Sequence, residues 1–319
     1  YYRPSIVFIN GAYYGLHDIR QRWDETWFAQ QYHVPADKID HLLYGHITSA
    51  ATTLGVDKGT STDWLALIAF IATADLTVAA NWDYVESKID IDSYMDFVIA
   101  ESYGNNTSWH HNREFWKEKS PGAKWRWFLT DMDRTFFTST LTGILADMLT
   151  TSDELLIRFK TNTAFKQRLA QRYAAHVAGT FKSSRVSAIV AQMDAEVSAL
   201  VPRHVTRWAP SGTTVTARNS NIQQIKDYAT QRAANFYGEV GAQLGVGAAV
   251  DFTLAVNNAV RGSIMVQGVP VEASTFKMFP NAPFTLKAVP APGYVFSSWT
   301  GASGGDSLSV TLTGARTIT

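Results

Sequence analysis

Asp131 and Asp133 stand two positions apart, directly after the aromatic run KWRWFL at 124–129. Carboxylates at i and i+2 on the end of a buried strand can be turned by the backbone toward one ion. Their hard oxygens suit Mg²⁺, which takes one or two carboxylates with substrate phosphates and water, or Mn²⁺ in its place. A bare D-x-D is also what a solvated strand end looks like; its place beside an aromatic strand favours a site. Asn112 offers a neutral oxygen to a metal already held by acids, as in phosphoryl-transfer sites where an Asn and a later Asp share the ion; a plain turn asparagine is its other reading. His110 and His111 are adjacent, and on an extended chain their side chains point to opposite sides. They are therefore not expected to share zinc, and no H-E-x-x-H spacing accompanies them. His111 still suits a hydrogen bond to phosphate or to an acid. Arg113, Arg126 and Arg134 either screen phosphates or pair with Glu114, Glu118 and Asp133. Ser108 has a histidine near it in sequence, but no G-x-S-x-G elbow surrounds it. Neither a G-x-G-x-x-G nor a Walker loop occurs.

These residues need a scaffold. Residues 110–133 read as strand, Pro121-Gly122 turn and strand, with Trp125, Trp127 and Leu129 sharing a face. The preceding stretch 90–103 is apolar at helical spacing, with Asp92-Ser93 as its cap. Upstream, 5–9 (SIVFI), Asn10-Gly11 and 13–19 (YYGLHDI) form a hairpin. Residues 23–32 and 63–80 read as helices, the second buried. Further helices are expected over 141–149, 153–159, 164–181, 183–200 and 221–240. Residues 201–220 read as an irregular connection, and 241–247 (GAQLGVG) as a linker. Beyond it charge nearly vanishes, and FTLAV, SIMVQ, FTLKAV and LSVTLT repeat as strands of an all-β module.

The bulk composition bounds the rest. The 319 residues are 46% hydrophobic and 18% charged, enough for a folded core. Ten Trp suit packed cores first and ligand grooves second. Equal numbers of acidic and basic residues argue against a nucleic-acid partner. With no cysteine there is no disulfide, no thiolate zinc site and no Cys nucleophile. The apolar run 64–80 is broken by Thr73, Asp75 and Thr77, so it is too polar to span a membrane. No signal peptide is visible, and both ends read as cut.

Four ordered blocks carry a resemblance. VFINGAYYGLHDIRQR (7–22), GNNTSWHHNR (104–113), WRWFLTDMD (125–133) and PRHVTRW (202–208) resemble the CotH kinase (spore coat protein H-like) family over residues 1–243. The resemblance implies an atypical, kinase-like α+β fold, mostly helical with a small sheet portion. It also implies ATP and Mg²⁺ or Mn²⁺ as cofactors, and phosphotransfer to serine or threonine of a protein substrate. By position, Asp131 is the catalytic and metal-binding acid, with Asp133 beside it and Asn112 as a second ligand. His111, Arg113 and Trp127 are assigned to the cofactor side, and Trp125 supports the site with Trp127. Ser108 stands where the family often has Asp, and Gln21 where it has Glu. The family's R-G-x-S-S…P-K-K region would precede Tyr1.

The tail is similar to another family. PFTLKAVPAPGYVFSSWTG (283–301) resembles a bacterial surface repeat of the internalin B-repeat type, with Tyr294, Phe296 and Trp299 as core aromatics. The expected organisation is a CotH-like domain over 1–243, a Gly-rich linker over 244–250 and a small all-β module over 251–319. Together these imply a secreted or cell-surface bacterial protein. Two functions compete: an atypical protein kinase, or a catalytically degenerate kinase-like surface protein that binds a partner as adhesins do.

Overall fold

The chain opens on an antiparallel hairpin, β1 (Tyr2–Ile9) and β2 (Ala12–Arg20). Asn10 and Gly11 both take positive φ, 49° and 78°, the backbone that a two-residue turn between right-twisted strands needs. The computed structural model describes residues 2–46, 52–139, 141–209 and 212–319. Helix α1 (Glu25–Tyr32) follows, capped by Asp24, whose carboxylate accepts from the Trp27 N–H at 3.0 Å. Next come β3 (Ile39–His46) and β4 (Thr52–Lys58), which join β5 (Arg113–Glu118) and β6 (Arg126–Leu129) in an antiparallel sheet ordered β4-β3-β5-β6. Sequence patterning did not reveal β3. Ile39, Asp40, His41 and Leu42 are all buried, and burial on both faces erases the apolar–polar alternation.

The helix expected over 63–80 is two helices, α2 (Thr62–Thr73) and α3 (Ala79–Lys88). Asp75 causes the break: its carboxylate accepts from Thr77 N–H and Thr77 Oγ1 at 3.0 and 2.7 Å, a local turn that competes with helix. Helix α4 (Ile91–Gly104) is capped by Asp90, which accepts from Ser93 N–H at 3.2 Å, and not by Asp92. Its apolar face packs Tyr94, Phe97 and Val98 into the core beside Trp64, Phe115, Trp125 and Trp127. Leu129 sits on the exposed side of its strand, unlike Trp125 and Trp127.

The second half is helical. Helix α5 (Ile144–Asp147) runs into a π turn over Met148–Ser152, and α6 (Glu154–Phe159) is capped by the buried Asp153. Then come α7 (Thr163–Ala178), α8 (Ser183–Val197), α9 (Val201–Arg207) and α10 (Val215–Leu244). Helix α9 lies where an irregular connection was expected; Pro202 stands in its first turn, where a missing N–H costs nothing. Helix α10 runs past 240 and ends at Gly245 in the left-handed region. Gly241 is thus the helix's last turn. A Cβ there would lie 2.3 Å from the Gly247 carbonyl oxygen, so the residue serves a close backbone crossing. Arg232 of α10 is fully buried and caps α4, donating to the Tyr103 and Ser102 carbonyls at 3.0 and 2.8 Å.

The C-terminal part is a small all-β module of β7 (Val250–Leu254), β8 (Gly262–Val266), β9 (Val269–Val271), β10 (Ser274–Met278), β11 (Pro283–Pro290), β12 (Ser307–Thr311) and β13 (Arg316–Ile318). One sheet is ordered β10-β7-β13, with β13 parallel to β7; the other is β12-β11-β8-β9. Trp299 is buried, but Tyr294 is not the core residue expected. It lies on the surface in the irregular stretch 291–298, its ring beside the Arg261 guanidinium. The architecture is therefore α+β: a mostly helical part with small sheets, then a small all-β module. Among the described residues no helix is long and apolar enough to cross a membrane.

Candidate functional site

Helix α4 ends at Asn105 in the left-handed conformation, φ 50°, and releases the chain into the segment that carries most of the candidate residues. Asn106 is fully buried, and its Oδ1 accepts from both Ser108 N–H and Ser108 Oγ at 3.0 Å. The Ser108 hydroxyl is therefore spent on shaping the loop. Trp109–His111 form one 3₁₀ turn. On that turn the two histidines do not diverge as an extended chain would require. His111 Nδ1 lies 3.2 Å from His110 Nε2, with the rings edge to face.

Strand β5 starts at Arg113 and β6 ends at Leu129, and these two residues are paired across the ladder. That register sets the residues just beyond, Asn112 and 130–131, side by side. Asn112 Nδ2 donates to Asp131 Oδ2 at 3.1 Å, and Thr130 Oγ1 donates to the Asn112 carbonyl at 3.3 Å. Asp131 takes φ 48° and ψ 53°, a left-handed conformation visited mainly by glycine, asparagine and aspartate. It turns the chain out of the strand and into a 3₁₀ turn over Met132–Arg134, which leaves Asp131 and Asp133 both exposed. The Thr107 N–H to Arg134 carbonyl bond, 3.3 Å, ties this turn back to the loop after α4.

The other expected residues stand differently. Arg113 is buried, its guanidinium 4.1 Å from the Tyr44 ring centroid and 5.5 Å from that of Trp109, with Nε donating to the His110 carbonyl. Its charge partly offsets the burial that pushes the Asp153 carboxyl up. Trp127 lies inside the sheet's core, stacked on Phe115 and edge-on to Tyr94. It holds β6 through Ser93, which accepts from its N–H at 2.8 Å. Arg126 pairs with Asp90 at 3.2 Å and not with a neighbouring glutamate. Gln21 is exposed just past β2.

Among the described residues no group of three or more His, Cys, Asp or Glu is placed to hold a metal ion. A cation at this site would rest on fewer protein oxygens. Asn112 and Asp131 supply a carboxylate and a carboxamide 3.1 Å apart. Adjacent ligands of an octahedral cation with Mg–O bonds of about 2.1 Å stand about 3 Å apart. Rotating the Asn112 amide end over end places its oxygen toward such an ion. The pair thus fits the small protein share of a Mg²⁺–phosphate site.

Sequence reasoning did not find Glu101, one helical turn before the loop. It is fully buried, neither carboxylate oxygen has a well-aligned hydrogen-bond partner, and burial pushes it up to about 8, with the Asn106 amide offsetting part of the rise. The signal was a lone acid among the apolar positions of α4. The meeting of the first and fourth sequence blocks was also hidden. His204 Nδ1 accepts from the Leu16 N–H at 2.9 Å, and Trp208 Nε1 donates to the Tyr14 carbonyl at 3.0 Å.

The four blocks thus meet in two pairs, the hairpin on α9 and the Asn112 loop on the Asp131 turn. The family model described as CotH kinase protein matches residues 1–236. The chain belongs to the CotH kinase protein family. A second model, the divergent InlB B-repeat domain, matches residues 252–319. No curated protein matches the sequence. The CotH region accordingly contains the hairpin, both loops and all the helices down to the middle of the last turns of α10.

Proposed function

We propose that the CotH region is an ATP- and divalent-metal-dependent phosphotransferase acting on serine or threonine of a protein substrate at a bacterial surface. The observation that carries this reading is the Asn112–Asp131 pair, an amide and a carboxylate from two separate loops held 3.1 Å apart at the surface. Asp131 and Asn112 would hold Mg²⁺ or Mn²⁺, with the exposed Asp133 beside them. A bound cation would neutralise charge on the nucleotide phosphates. His111 ends the 3₁₀ turn that Asn112 caps, and we assign it to a phosphate oxygen or an acid. The domain division, a CotH domain over 1–243, a short linker and a β module over 251–319, belongs to the same proposal and supports a secreted or surface-bound protein.

A second reading has its own observation. Ser108 stands where the family often carries Asp, and its hydroxyl is committed to Asn106. A site without that carboxylate would bind nucleotide without transferring phosphate, and the chain would then act as a surface binding protein.

Thermal melting of the full chain with ATP and Mg²⁺ or Mn²⁺ tests both. Saturation at a hundred times Kd stabilises by about 2.7 kcal/mol. That raises the melting temperature by several degrees, and Asp131→Ala removes the rise. Stabilisation with transfer of labelled γ-phosphate to the chain or to a serine-rich protein supports the kinase. Stabilisation without transfer supports the second reading. No shift with either metal overturns nucleotide binding altogether.

A further inference from the structure

Residues 255–258 and 261, between β7 and β8, and residues 294–300, after β11, line a groove of about 320 Å³ in the β module. Val295 at its wall is 89% exposed, and Val260 beside it is 81% exposed. They are the two most exposed large apolar side chains among the described residues. Tyr294, also in the wall, is 48% exposed. The Arg261 guanidinium lies 5.7 Å from the Tyr294 ring centroid. No acid pairs with Arg261 among the described residues, and the groove lining contains neither Asp nor Glu.

The loops are fixed by their own backbone. Asn258 Oδ1 accepts from Val260 N–H at 3.0 Å, and the Asn258 carbonyl accepts from Arg261 N–H at 3.1 Å. The Arg261 carbonyl in turn accepts from Ala291 N–H at 2.9 Å, and the Ala291 carbonyl from Tyr294 N–H at 3.0 Å. A continuous chain of bonds therefore sets Arg261 and Tyr294 side by side, so little ordering entropy remains for a ligand to meet.

We propose that this groove binds the carboxylate-bearing pyranose of an acidic glycan, a hexuronic acid in chemical class. A guanidinium in a groove lined by no Asp or Glu side chain calls for a planar anion, and a carboxylate can take two of its N–H groups at once. The aromatic and valine surfaces suit the C–H face of a sugar ring. Asn257 and Ser297 in the lining supply neutral donors and acceptors for hydroxyls. An acidic peptide is the weaker fit. Where β8 and β11 line the groove, Ser263 and Gly262 pair with Val289 and Pro290, and Pro290 has no N–H to offer an added peptide strand. The proposal is independent of the nucleotide site.

The test is titration of the full chain, without nucleotide, by calorimetry or NMR. The probes are a glucuronate-terminated disaccharide, glucose, and a Glu-rich peptide. The expected result is a Kd below about 1 mM for the glucuronate sugar and at least tenfold weaker binding of glucose and of the peptide. Arg261→Ala and Tyr294→Ala are each expected to weaken the glucuronate sugar at least tenfold. Both side chains are surface groups, so an unchanged melting temperature confirms that fold is not the cause. No binding of the glucuronate sugar, equal binding of glucose or of the peptide, or full affinity in Arg261→Ala overturns the proposal.

Discussion

Glu101 is a carboxyl group out of solvent with no well-aligned hydrogen bond on either oxygen, one turn before the loop that carries Asn112. Burial raises it from 4.5 to about 8, and the nearby Asn106 amide offsets only part of that. Between those two values the folded chain keeps the proton and the unfolded chain has lost it. Stability therefore falls as pH rises from about 4.5 to about 8, and the contribution is flat on either side. Glu101→Gln keeps the shape without the charge. We expect it to match the parent near pH 4, to exceed it by a few kcal/mol above pH 8, and to flatten the slope between; urea unfolding across that range is the measurement. A parallel pH dependence in parent and variant would show that Glu101 is not the titrating group. At this scale the sequence was legible where chemistry and spacing coincide. Asn112 and Asp131 could be named from residue type and from their places just beyond two strands. Glu101 was passed over because an acid is an ordinary helix former, although Tyr94, Phe97 and Val98 at helical spacing before it mark its face as the apolar one. The meeting of the His110 and His111 rings was hidden for a related reason: a 3₁₀ turn swings these adjacent side chains together, and one turn of that helix leaves no periodic signal.

Among the elements, the hairpin shows how a sequence block that carries the family resemblance can serve docking. A two-stranded ribbon alone is marginal in water, and this one is held on α9. His204 accepts the Leu16 N–H, Trp208 donates to the Tyr14 carbonyl, and the Arg203 guanidinium lies 4.0 Å from the Tyr13 ring centroid. Gly15 allows the approach: a Cβ there would lie 2.9 Å from Trp208 Nε1 and 3.0 Å from His204 Nδ1. His204→Ala leaves the Leu16 N–H without its acceptor. We expect faster hydrogen exchange across β1 and β2, with α4 and α7 unchanged, and a loss of about 1–2 kcal/mol. Exchange unchanged in the hairpin would mean that α9 does not hold it. The hairpin was readable because Asn-Gly between apolar runs has few other outcomes. Helix α9 was not, because its Pro, Val, His and Thr carry weak helix propensity and tertiary contact with the hairpin decides it. The break at Asp75 was similarly hidden: the flanking residues keep helical spacing, and a single side-chain turn overrides them.

The helical part and the β module share one apolar core, from Trp64 and Tyr94 through Phe236 to Phe252, Phe284 and Val310. The junction is specific as well as apolar. Gln171 of α7 is fully buried and uses its whole amide on the module: Nε2 donates to the Phe279 and Ala282 carbonyls at 2.8 and 2.7 Å, and Oε1 accepts from Phe279 N–H at 3.0 Å. Arg172, bidentate to Asp96 of α4, also donates to the Gln267 carbonyl at 2.7 Å. Gly179 lets the module approach, since a Cβ there would lie 2.4 Å from the Pro270 carbonyl oxygen. The composition shift after 250 marks a change of architecture, but a glutamine in an amphipathic helix says nothing of a second sheet resting on it. These contacts predict that the two parts unfold together. Calorimetry should give one transition, with calorimetric and van't Hoff enthalpies equal. Gln171→Ala would leave two carbonyls and one N–H buried without partners, a loss of about 3 kcal/mol or more, and should lower that single transition or split it in two. Lys182→Ala, which removes only the exposed pair with Glu272, should cost less than about 1 kcal/mol and leave one transition. Two transitions in the parent protein would instead mean that the module folds alone and that Gln171 joins two bodies already formed.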